Sequence, residues 1–70
     1  MTEEELIARA REHAAQRGWS WREPIHVRPV SWHGAAAYQI ETHVGFRGMN
    51  VSVVVAAADG SILNAAYLSR

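Results

Sequence analysis

Four histidines in a chain without cysteine are the first residues whose chemistry could bind a metal or carry a proton. His26 and His43 fall in two segments where apolar and polar residues alternate, so a hairpin between them would bring two imidazoles to one ion. Glu41, two positions from His43 on the same side, would supply a third ligand. His33 lies seven residues beyond His26, roughly 23 Å away at ~3.3 Å per residue, and His13 belongs to a helical segment. Two solvated strand histidines account for the same residues without an ion. A pH-sensitive contact is a third reading, because opposed imidazoles resist double protonation. His26, His43 and Glu41 are therefore the alternative metal or small-ligand set, and no cofactor is expected.

Catalytic constellations are harder to assemble. The single aspartate, Asp59, sits beside Gly60 in a turn-forming pair, and no serine has nucleophile-elbow spacing. Glu3, Glu4 and Glu5 belong to a helix start and Glu41 has Arg28 as a partner, so paired carboxylates for glycoside chemistry are lacking. The segment Gly45-Phe46-Arg47-Gly48 has the G-x-x-G form with which one RNA-binding fold clamps a backbone, but here it joins strands. Its glycines permit a reversal. Phe46 beside Arg47 at a loop tip also has the composition of an interface anchor. The chain is expected not to be an enzyme.

Seven basic residues, all arginine, balance seven acids in 70 residues. No field steers a polyanion, and nucleic acid and membrane surfaces are not expected partners. Hydrophobic residues make up 49% of the chain, enough for one small domain over residues 1–70 and too much for disorder. At this length a core typically supplies only ~3–5 kcal/mol, and disulfides are excluded. The acidic start Met1-Thr2-Glu3-Glu4-Glu5 is unlike a signal peptide, and no apolar run approaches the ~18 residues of a membrane span. These features predict a soluble, cytoplasmic chain. Zero net charge also removes colloidal repulsion between copies.

The elements that must position these residues can be read from period and punctuation. Thr2 with Glu5 forms a capping-box pattern, Gly18 is a helix stop, and Leu6, Ile7, Ala10 and Ala14 share one stripe about 100° wide. Two alanines in the stripe predict close packing, with volume supplied by Trp19 and Trp21. From Ile25 the period becomes two. A hairpin with Gly34-Ala35 as its loop would set Arg28 across from Glu41 and His26 across from His43, with Pro29 on an edge strand. Met49 to Ala57 reads as an inner strand, and an Asp59-Gly60 turn would pair Val55 with Asn64, Val53 with Ala66 and Val51 with Leu68. The fold class is therefore α+β, an N-terminal helix packed on one face of a four-stranded antiparallel meander, α-β-β-β-β.

That register sorts the strands into two faces. Ile25, Val27, Tyr38, Ile40, Val44, Val51, Val53, Val55, Ile62 and Leu68 would face the helix. The opposite face would carry Trp32, Val54, Leu63 and Tyr67 among polar residues, an apolar patch of the kind that marks an interface. Scattered surface apolar residues are the alternative. With Phe46 and Arg47, these six form the candidate partner-binding set, for a protein partner or for a second copy in a homodimer.

An N-terminal helix, a strand entered near a proline, a hairpin with an aromatic at Tyr38, and Asn50 to Ala57 running into Asp59-Gly60-Ser61-Ile62-Leu63 together resemble the small PepSY domain. The resemblance spans nearly the whole chain. It implies a module that binds or inhibits proteins rather than one that catalyses. Cystatin-like and immunity-protein folds are similar in outline.

Overall fold

The computed structural model describes residues 2–69. Its order of elements is α1 (Glu3–Gln16), β1 (His26–Trp32), β2 (Ala35–Glu41), β3 (Asn50–Ala56) and β4 (Ile62–Leu68), with the strands in one antiparallel sheet of order β1-β2-β3-β4. This is the α-β-β-β-β meander that the patterning predicts.

Both ends of α1 are closed by local chemistry. The Thr2 hydroxyl accepts from the Glu5 amide at 3.2 Å while the Thr2 amide donates to the Glu5 carboxylate at 2.8 Å, completing the capping box. The backbone bond from Thr2 holds the Glu5 carboxyl below the usual carboxylate range. At the other end Gly18 has φ +72°, and the amides of Trp19 and Gly18 donate to the carbonyls of Ala14 and Ala15. That pairing is the Schellman motif, for which a left-handed glycine is the favoured residue. Replacing Thr2 by alanine is expected to lower stability by ~1 kcal/mol, read as a shift in the urea midpoint at unchanged slope.

The core lies between α1 and the sheet. Leu6, Ala10 and Ala14 of the helix meet Ile40, Val51, Val53 and Val55 of the inner strands, all buried. Trp19, Trp21, Ile25, Val27, Tyr38, Ile62, Ala65 and Tyr67 pack around this cluster. The alanines bring the helix close, and the tryptophans beyond its cap fill the margin.

Two turns differ from expectation. The β1–β2 loop is His33-Gly34, with φ +50° and +84°, and not Gly34-Ala35. A two-residue loop of this hand needs positive φ at both positions, which histidine tolerates better than most residues and alanine does not. His26 therefore opposes Glu41, and Arg28 opposes Gln39. The slip is two residues, so every side chain keeps its face. The second change matters more. Asp59 is not left-handed, and the β3–β4 connection spans residues 57–61, with Gly60 at φ +75° donating to the Ala56 carbonyl. With a bulge at Leu63, β4 shifts by one residue: Val53 opposes Ala65, Val51 opposes Tyr67, and Asn50 opposes Leu68. A one-residue shift exchanges the faces. Tyr67 and Ala65 turn toward the helix, and Leu68 turns away from it.

Candidate functional site

The eight residues between β2 and β3 form a built loop. Thr42 is buried, donates its amide to the Val51 carbonyl at 3.0 Å, and accepts the Val51 amide on its hydroxyl at 2.9 Å. His43 and Met49 both take left-handed backbones, φ +55° and +56°, and bracket Gly45 and Gly48 at +92° and +88°. The amides of His43 and Val44 donate to the carbonyls of Arg22 and Pro24, tying the loop to the segment that enters β1. Asn50 closes it: Nδ2 lies 3.2, 3.0 and 3.1 Å from the carbonyls of Thr42, His43 and Phe46. The His43 Nδ1–H donates to the Gly48 carbonyl at 2.9 Å.

This framework fixes an exposed aromatic. The Phe46 ring stacks on His43 at 4.5 Å and 13°, yet Phe46 is 59% exposed. Arg47 beside it is also exposed. Met49 and Leu68, 36% and 54% exposed, lie at the same end of the sheet, since Leu68 opposes Asn50. A concavity of about 240 Å³ there is lined by His43, Arg47, Gly48, Met49 and Ser69. Phenylalanine, methionine and arginine together are the residues enriched in the centres of protein interfaces.

The open face of the sheet is not the single apolar patch that the strand pattern suggests. Arg28 donates to Gln39 Oε1 at 3.1 and 2.7 Å, and Gln39 donates to Ser52 at 3.0 Å, forming a polar ladder across three strands. Glu41 meets Arg28 only diagonally, at 3.8 Å and largely solvated, an ion pair of little energetic weight. Trp32 and Leu63 lie toward the hairpin end, remote in register from the Phe46 loop. Trp32 is half-buried with His33 packed edge-on at 5.2 Å, and Leu63 is 37% exposed at its bulge. Two expected members leave the set. Val54 is buried between Gln39 and Asn64, so it supports the face without presenting a contact. Tyr67 stacks on Trp19 at 5.5 Å and 11° on the helix side, which its shifted register requires.

The histidine set separates. His26 faces Glu41 across β1–β2, but His43 leaves the strand and its ring is committed to Gly48 and Phe46. No three histidine, aspartate or glutamate side chains among the described residues are grouped to hold a metal. Asp59 is engaged within its own turn. The Ser61 hydroxyl donates to the Asp59 carboxylate at 2.6 Å, and the Ser61 amide adds a 3.0 Å bond. These bonds, the side-chain one foremost, hold the Asp59 carboxyl below its usual range. His13, in the same neighbourhood, accepts from Arg17 on Nε2 at 3.1 Å. Met49, Leu68 and the Asn50 brace were missed in sequence. The polar residue directly after Gly-x-x-Gly-Met was their one available signal.

The fold and this loop define a small α+β meander with a braced aromatic tip. No protein-family model, curated protein or solved structure matches the chain. No helix among the described residues is long and apolar enough to cross a membrane.

Proposed function

We propose that the protein is a non-enzymatic binding module that joins a second copy of itself through the Phe46–Arg47 loop, with Met49 and Leu68 at the margin of the contact. The observation that carries this reading is an aromatic side chain left 59% exposed while its loop is held by Asn50 and its ring by His43. A large apolar group already fixed in its bound orientation loses little conformational entropy on association. The neutral net charge leaves no general repulsion between copies. The PepSY resemblance points to protein binding as well, and a cytoplasmic location is part of the same proposal.

Light scattering coupled to size exclusion, over a hundredfold range of concentration, tests it. The expected result is a dimer at high concentration that Phe46→Ala converts to monomer, with the thermal midpoint within a few degrees of the parent. Hot-spot truncations of this kind cost ~2 kcal/mol or more, a thirtyfold loss of affinity. A monomer at every concentration, or a dimer that ignores Phe46→Ala, would reject this interface.

A further inference from the structure

A second surface, apart from the Phe46 loop, lies along the free edge of β4. Antiparallel pairing decides which backbone groups point there. The Thr42 amide donates to the Val51 carbonyl, so Val51 and the alternate residues of β3 turn toward β2, and Asn50, Ser52 and Val54 turn toward β4. Their partners Leu68, Ala66 and Asn64 are thereby used. Ala65 and Tyr67 are left with N–H and C=O directed outward. The two edges of the sheet are not equivalent: β1 carries Pro29 and the charged Arg28, devices that block edge pairing, whereas β4 has neither proline nor charge over seven residues.

The last turn of α1 forms a wall beside this edge. A groove of about 300 Å³ runs between His13, Arg17 and Trp19 on one side and Ile62, Leu63, Asn64 and Ala65 on the other. Four consecutive strand residues line it, so it abuts the edge of β4 and not one face. Arg17 lies over Trp19 at 5.7 Å, with Tyr67 stacked on the same indole. Its Nε is spent on His13, and its Nη nitrogens have no acceptor among the described residues. No carboxylate lines the groove.

We propose that β4 accepts an extended segment of another protein as a fifth strand, and that the segment alternates carboxylate and apolar side chains. The alternation follows from geometry. Residues of the added strand opposite Ala65 and Tyr67 share their helix-side face and meet Arg17, whereas the intervening residues share the open face with Leu68 and Leu63. Main-chain pairing supplies affinity and the guanidinium selects the acid, the division of labour seen in strand addition generally. A second copy of β4 fits less well, because Ile62–Leu68 brings no carboxylate to Arg17.

The probe is a fluorescein-labelled heptapeptide of alternating valine and glutamate, followed by anisotropy at low salt. It should bind saturably, and a lysine-for-glutamate peptide should bind about tenfold more weakly. In Arg17→Glu the order should reverse, with the lysine peptide now the tighter, an exchange that a damaged fold would not give. N-methylation of the glutamates removes the amides that pair with Ala65 and Tyr67 and should abolish binding to the unaltered protein. Equal binding of the two charged peptides, survival of binding after N-methylation, or no saturation at millimolar peptide would overturn the proposal. So would concentration-dependent protection of the Ala65 and Tyr67 amides from exchange without peptide, which would place a second copy on the edge.

Discussion

Ile40→Ala is expected to leave the chain predominantly unfolded at 37 °C. Ile40 is fully buried at the centre of β2, where it meets Val53 of β3 across the ladder and the underside of α1. Truncating a buried isoleucine to alanine costs ~2–5 kcal/mol, made of lost transfer energy and the cavity left behind. The helix face in this cluster is largely alanine, with Leu6 as its one longer side chain, so little apolar volume is at hand to fill the void. A domain of this size typically has only ~3–5 kcal/mol in total. Each kcal/mol corresponds to ~4–8 °C in thermal midpoint at this length, so the drop should exceed ~10 °C. Val30→Ala on the open face is the control, with an expected loss below ~1 kcal/mol because Val30 lies outside the core cluster. Circular dichroism melts of both variants make the comparison. Equal small losses would show that the helix–sheet interface is not where the stability resides.

The same energetics explain why the architecture was legible in sequence. The core depends on which residues share a face, and period-two alternation sets that for β1 and β2 whatever the turn, while the near-continuous apolar run of β3 marks an inner strand. The β1–β2 slip was two residues and left every side chain on its side. The capping box and Gly18 were equally readable, since their chemistry is local. The β3–β4 connection was not, because Asp-Gly suits a two-residue turn and also a longer one with glycine alone left-handed. That ambiguity decided the face of Tyr67 and Leu68, and with it the composition of the expected patch. The Phe46 loop was half legible. Phe46 and Arg47 stood out by type, but the brace depends on Asn50 reaching carbonyls four to eight residues back, a contact that no periodicity encodes.

Asn50→Ala separates the two roles assigned to that loop. One NH2 group serves three carbonyls, and a side chain with two hydrogens must share them. Removing it should cost ~2 kcal/mol, since each net bond contributes about 1 kcal/mol and the carbonyls are only partly able to find water. The thermal midpoint should then fall by ~10 °C, with the sheet intact. The loop itself should loosen: the Phe46 amide, which donates to the His43 carbonyl at 3.1 Å, should exchange faster. Ring-current shifts from the His43–Phe46 stack should collapse toward random-coil values. If association depends on a prearranged Phe46, the dimer should also weaken by about tenfold, the cost of ordering one aromatic and its loop on binding. That loss must be smaller than the loss in Phe46→Ala, because the anchor is still present. A variant that loses stability but dimerises as well as the parent would mean that Phe46 contributes area without prearrangement. One that keeps its midpoint and its Phe46 exchange rate would mean that the three bonds do not hold the loop in solution.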